Sequence, residues 1–226
     1  MTKVKVSALI AAAGSGTRLG SGPKAALHLG GQTLLAHTLG ALSGLVDEVI
    51  VAVRAEQLAE FSAAHGEARF VAGAASRQGS VSRLVAAADR GLVLVHDVAR
   101  PFLPADVVKR VLAAAGVHGA ASAAVAVSDT IVFAAGTSYG EVLDRGNLRT
   151  IQTPQAFDRD LLADAHAAAA ARDLTATDDA ALVRASGRHV ELVPGSRLLL
   201  KITEPGDLAL AEALLPLWLA RPQEPA

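Results

Sequence analysis

Short runs rich in Val, Ile and Leu recur along the first half of the chain, with stretches of helical character between them. They fall at Val4–Ala12, Glu48–Val53, Arg69–Ala72, Leu92–His96 and Ala120–Val127. Such runs show little alternation of apolar and polar positions, which marks strands covered on both faces. Between them, Thr33–Leu45, Gln57–His65, Ser80–Asp89 and Pro104–Ala115 read as helices, with Thr33 as an N-cap and Gly116 just past a helix end. Strands alternating with helices predict an α/β fold, a mostly parallel sheet with helices on both faces.

The alternation breaks after Val127. Thr130–Ala134 and Gly140–Leu143 read as strands joined by the polar turn Gly136-Thr137-Ser138, and a further strand is expected over Leu148–Gln152. The segment 129–153 carries too little apolar surface to fold alone, so it is expected to be a protruding β-arm that packs on something else, such as a second subunit. Helical pattern resumes at Asp158–Arg172 and Asp178–Ser186, followed by strands at His189–Val193 and Leu198–Ile202 and a last helix over Pro205–Leu219. No internal repeat or linker divides residues 1–226, so one domain is expected.

Composition narrows the class. Hydrophobic residues make up 51% of the chain and aromatics only 3%, so the core must be built from Ala, Val and Leu. Alanine inflates the mean hydropathy, and no run approaches the ~18 apolar residues of a membrane span. The start, Met1–Ala12, resembles a signal peptide only superficially. Its apolar run is too short and leads directly into a glycine-rich loop, so it is read as the first strand. The formal net charge of -1 leaves no electrostatic footprint for nucleic acid. There is no cysteine, which excludes disulfides and thiolate metal sites and suits a cytoplasmic enzyme.

The candidate chemistry begins right after the first strand, in A-A-A-G-S-G-T-R-L-G-S-G-P-K, Ala11–Lys24. Ligands of parallel sheets bind beyond the carboxyl ends of the strands. The small residues around Gly14 and Gly16 let backbone N–H groups approach an anion closely. Arg18 and Lys24 add fixed positive charge in the same loop. A triphosphate needs both features. The loop is neither of two commoner phosphate binders: a dinucleotide fingerprint lacks its acidic partner here, and Lys24 is followed by Ala25 where a phosphate-loop ATPase has Ser or Thr.

A second candidate is V-H-D-V-A-R-P-F, Val95–Phe102, at the end of the fourth strand. Asp97 there can hold Mg²⁺ or ribose hydroxyls, or simply cap a turn. Arg100 can clamp a phosphate through two N–H groups. His96 lacks the further His and Asp that a metal-dependent phosphohydrolase would need, and is read as structural. Ser80, in G-A-A-S-R-Q-G-S-V, is an N-cap, a base or ribose contact, or both. The arm contributes Thr130 and Arg145, followed by Gln152-Thr153-Pro154-Gln155. Lys201 lies within the apolar L-L-L-K-I-T, where an ammonium must snorkel to solvent or meet a partner or a ligand phosphate.

The A-A-G-x-G-x-R loop with its Pro-Lys, the V-H-D-x-A-R-P strand end, the T-P-Q segment and the late Lys-Ile-Thr, taken together, resemble the 2-C-methyl-D-erythritol 4-phosphate cytidylyltransferase family of the non-mevalonate isoprenoid pathway. The resemblance runs in order from about Val4 to Leu215. It implies a Rossmann-like domain of the nucleotide-diphospho-sugar transferase type that forms a homodimer through the arm. It implies CTP and a small polyol phosphate as substrates, with Mg²⁺. Arg18 and Lys24 would then hold the triphosphate, and Ala12, Ala13 and Ala74 with Ser80 would read the cytosine. Asp97 would lie near ribose and metal. Arg100, Thr153 and Lys201 would bind the acceptor, with Thr130 and Arg145 reaching in from the other subunit. Ribitol 5-phosphate is the nearest alternative acceptor. A non-catalytic nucleotide-binding regulator and a nicotinamide-dependent dehydrogenase are the readings from other classes.

Overall fold

The computed structural model describes residues 4–14, 16, 22–89 and 91–221. The elements follow in chain order as β1 (Val6–Ala11), β2 (His28–Leu29), β3 (Gln32–Thr33), α1 (Leu34–Leu42), β4 (Glu48–Val53), α2 (Leu58–Ala64) and β5 (Arg69–Ala72). Next come α3 (Arg77–Ala87), β6 (Leu92–Asp97), α4 (Ala105–His118), β7 (Ala120–Ala126), β8 (Ile131–Ala135) and β9 (Ser138–Leu143). The chain closes with β10 (Arg149–Asp158), α5 (Arg159–Ala171), α6 (Asp179–Ala185), β11 (Glu191–Pro194) and α7 (Pro205–Leu219). Among these residues no helix is long and apolar enough to cross a membrane.

Among the described residues seven strands form one sheet in the order β11-β7-β10-β6-β1-β4-β5. Every pairing is parallel except those of β10, which runs antiparallel to both β6 and β7. Successive side chains of a strand point to opposite faces, and the core divides accordingly. Ala8, Ile10, Val51, Val53 and Leu94 pack toward α1, α4 and α7. Leu9, Ile50, Ala52, Val93 and Val95 pack toward α3, α5 and α6. Both faces of the central strands are dry, which is why these strands read as continuous apolar runs.

Several boundaries differ from the sequence expectation. The N-cap of α3 is Ser76, whose hydroxyl accepts the Gly79 N–H, so Ser80 lies inside the helix. Helix α4 runs through Gly116 and ends at Gly119, which takes the left-handed conformation at φ 80°. Its backbone N–H then bonds the Ala115 carbonyl, a closure that glycine accepts without Cβ strain. The run Leu198–Ile202 is not a strand. Its polar backbone groups are satisfied from the sides: the Ile202 N–H donates to Ala99, and the Leu199 and Ile202 carbonyls accept from Arg100 and Lys24. A segment whose backbone is taken up by the loop after β6 and by Lys24 has no ladder to join.

The expected arm is in part sheet. Among the described residues β8 and β9 pair only with each other, but β10 begins within the arm and continues through Thr153 into the central sheet. The register shifts between Ile151 and Gln155, which carries Pro154 past a ladder position it cannot fill.

Candidate active site

The carboxyl ends of β1, β4 and β6 open onto a cleft of about 670 Å³, a volume suited to a small ligand. The strand register sets Asp97 level with Ala11, and Ala11 level with Ala52. One wall is the loop after β1. Gly16 has φ 64°, and a Cβ there would lie 2.1 Å from the Gly22 carbonyl oxygen. Only glycine lets the loop close this tightly. The facing wall is the loop before α3. A Cβ on Gly73 would meet the Ala13 Cβ at 2.4 Å, so the backbone of the second wall lies directly against the Ala13 methyl. Ser80 holds the second wall in shape, accepting the Ala74 N–H at 2.9 Å and donating to the Ser76 carbonyl at 2.9 Å.

Asp97 is the electrostatic centre. It is buried at the end of β6, and its backbone N–H donates to the Thr153 hydroxyl at 3.2 Å. Arg77 Nε donates to one carboxylate oxygen at 2.9 Å and Lys201 Nζ to the other at 2.7 Å. Burial by itself would raise the carboxyl pKa, but the Arg77 guanidinium, and then Lys201, hold it well below the usual range. Arg77 is fixed as a cation by the same logic: burial opposes its charge, and Asp97 and Asp179 more than restore it. Lys24 Nζ donates to the Ile202 carbonyl at 2.7 Å, tying the glycine loop to the segment that carries Lys201.

The structure thus brings together Ala13, Gly14, Gly16, Lys24, Ser80, Asp97 and Lys201 along one cleft. Arg18 lies outside the described residues. Several expected contacts sit elsewhere. Ala12 is buried behind the wall, its N–H spent on the Ala52 carbonyl at 2.9 Å. Thr153 is buried beneath Asp97 rather than lining the cleft. Arg100 does not line the cleft; its guanidinium donates to the Leu199 carbonyl. Thr130 and Arg145 are exposed on the arm, with Arg145 donating to the Ser128 carbonyl. Arg54, Glu56 and Arg77 line the cleft and were not singled out from the sequence. Arg54 directly follows the second strand, the position at which ligands meet parallel sheets, and that was the available signal.

His96 is structural, as expected. Its Nε2 lies 3.0 Å from the Arg100 carbonyl oxygen, which only accepts, so Nε2 carries the proton. Nδ1 is buried and has no hydrogen-bond partner among the described residues. Charging the ring would bury a donor with nothing to meet. Burial therefore lowers the imidazole pKa from 6.5 to about 4, although the Arg100 carbonyl pulls the other way. The unfolded chain binds more protons between those values, so stability is full above ~6.5 and is lost as pH falls toward ~4. Between pH ~7 and ~5 the loss is expected to be about 2 kcal/mol. Urea midpoints of the wild type and of His96→Gln, which does not titrate, should diverge over that range; parallel curves would exclude His96 as the cause.

Comparison with known proteins bears on this geometry. The family model for 2-C-methyl-D-erythritol 4-phosphate cytidylyltransferase matches residues 6–216. A relative of that name from Deinococcus radiodurans is 50% identical over 210 residues, which cover 93% of this chain and 89% of the relative. Another, from Thermus thermophilus, is 50% identical over 217 residues, covering 96% of this chain and 100% of the relative. A crystal structure of 2-C-methyl-D-erythritol 4-phosphate cytidylyltransferase from Thermus thermophilus matches with a TM-score of 0.83 at 46% identity, covering 94% of this chain and 99% of that one.

Proposed function

The chain belongs to the 2-C-methyl-D-erythritol 4-phosphate cytidylyltransferase family and is a nucleotidyltransferase, and from that premise we propose how its cleft does the work. The reaction joins CTP and 2-C-methyl-D-erythritol 4-phosphate into 4-diphosphocytidyl-2-C-methyl-D-erythritol and releases pyrophosphate. The observation that carries the site assignment is the convergence of Lys24, Lys201 and Asp97 on one cleft beside a glycine loop.

The acceptor phosphate attacks the α-phosphorus of CTP in line, opposite the departing pyrophosphate. The acceptor oxygen is already anionic near neutral pH, so no general base is needed. Catalysis rests on orientation and on cations placed where charge builds at the five-coordinate phosphorus. Lys24 and Arg18 take that role, with the backbone at Ala13, Gly14 and Gly16 cradling the phosphates. Ala74 and Ser80, held in one hydrogen-bonded loop, border the base. Lys201 faces the acceptor phosphate, and Thr153 acts from beneath by holding the Asp97 backbone.

Among the described residues no group of three His, Cys, Asp or Glu converges on a metal position. Magnesium ordinarily takes one or two carboxylates and completes its shell with substrate phosphates and water, and Asp97 fits that habit. Asp97 would hold the ion, which would supply neutralising charge to the phosphate oxygens.

Thr130 and Arg145 do not line the cleft of their own chain, and they are assigned to the cleft of a second copy. The β8–β9 hairpin supports this, because Phe133 and Tyr139 are 62% and 74% exposed on it. A homodimer built on residues 129–153 of a single cytoplasmic domain follows from the same reading.

The test is pyrophosphate release with Mg²⁺, comparing methylerythritol 4-phosphate with ribitol 5-phosphate, and CTP with ATP, GTP and UTP. Release confined to CTP and methylerythritol phosphate is expected. Release with ribitol phosphate would move the acceptor assignment, and no release from folded protein would end the catalytic reading.

A further inference from the structure

One carboxylate near the site has no place in the chemistry above. Asp179 opens α6, outside the cleft, and is fully buried. Its Oδ2 accepts Arg77 Nη1 at 2.8 Å, while Arg77 Nε holds Asp97 at 2.9 Å. The Arg77 Nη2 atom is buried with no hydrogen-bond partner among the described residues. On the far side, His166 Nε2 of α5 lies 3.3 Å from Asp179 Oδ1. Burying such a group costs several kcal/mol in desolvation, and apolar replacements of buried ion pairs are often neutral or stabilising. Stability alone is therefore a poor reason for its presence.

The same helix start is tied to Asp97 by a second route. The Ala180 N–H donates to Gln155 Oε1 at 3.1 Å, and Gln155 stands two residues along β10 from Thr153, which accepts the Asp97 N–H. Gln78 of α3 adds a brace, donating to Leu174 at 3.0 Å and accepting from Ala176 at 3.0 Å. The start of α6 thus reaches both the backbone and the side chain of Asp97.

We infer that Asp179 is a positioning residue for the cytidylyl transfer: by holding one arm of Arg77, it makes Arg77 meet Asp97 through Nε alone. An arginine freed of its second partner turns two parallel N–H groups onto a single carboxylate. Asp97 would then be drawn toward α3, away from Lys201 and from the cleft. The inference rests on the placement of Asp97 in the reaction.

The experiment measures kcat, KM for CTP and the thermal midpoint for Asp179→Ala, Asp179→Asn and Asp97→Asn, and for each Asp179 variant combined with Asp97→Asn. Supporting groups one step behind a site commonly matter by 10–100-fold, so Asp179→Ala is expected to lower kcat by about that factor with KM for CTP changed less than ~2-fold. In the Asp97→Asn background the same substitution should change kcat by less than ~2-fold, because residues acting through one another are not additive. If Asp179→Ala does not fold, the isosteric Asp179→Asn carries the same comparison, with a kcat loss of about tenfold expected. Wild-type kcat in a folded Asp179 variant overturns the inference, as do losses that multiply in the Asp97→Asn background. An Asp97→Asn enzyme with normal kcat would instead remove the placement of Asp97, and the inference with it.

Discussion

Lys24→Ala is expected to lower turnover by about 10²–10³-fold while the chain still folds. The ammonium lines the cleft between the glycine loop and the Lys201 segment, which the proposed mechanism makes the place where negative charge gathers during transfer. Removing a fixed cation from such a place costs about 3–4 kcal/mol of transition-state stabilisation. The structural cost is smaller. Within the fold the side chain donates to the Ile202 carbonyl, and hydrogen bonds from charged groups are worth about 1.5–3 kcal/mol. A steady-state assay beside a urea titration separates the two effects. A folded Lys24→Ala enzyme with near-normal kcat would take Lys24 out of the mechanism.

Arg145→Ala and Lys24→Ala, each nearly inactive alone, are expected to recover about one quarter of wild-type turnover when their subunits are exchanged. The arithmetic follows from a shared site. Random exchange makes half of the dimers mixed, and in each mixed dimer one of two sites joins an intact Lys24 to an intact Arg145. Arg145→Ala is expected to lower kcat/KM for the acceptor by ~10²-fold with little change in CTP binding, because the proposal has this cation face the acceptor phosphate. Placement on the exposed arm, rather than in the cleft of its own chain, is what leads the proposal to assign Arg145 to a partner's site. An exchanged mixture that stays inactive, with exchange verified by differently tagged subunits, would put Arg145 outside the partner's site.

How much of this was legible follows from where the information resides. The strands β1, β4, β6 and β7 were readable within a residue or two, because a strand buried on both faces must be apolar throughout. The glycine loop ending in Lys24 was readable as a cleft wall because small residues allow a close backbone approach, and Asp97 because it closes an apolar run at a strand's carboxyl end. Local caps were less secure. Ser80 reads as a candidate N-cap of α3, and the hydrogen bond from the Gly79 N–H places the cap at Ser76 instead. Leu198–Ile202 reads as a strand because an apolar run states burial but not a partner. In the fold its carbonyls are met by Lys24 and Arg100, from distant parts of the chain.

Arg77 shows the limit most clearly. Nothing near it marks it as part of a charge network, since its partners Asp97 and Asp179 lie 20 and 102 residues away. The sequence by itself determined the alternating elements, the glycine loop beside the cleft and the family, because strand burial and close backbone approach are written in neighbouring residues. Only the tertiary structure decided that β10 enters the sheet reversed, that Thr153 and Arg100 stand behind the cleft, and that Arg77 joins Asp97 to Asp179. Those outcomes depend on strand order and helix packing, which bring together charges that no local pattern relates.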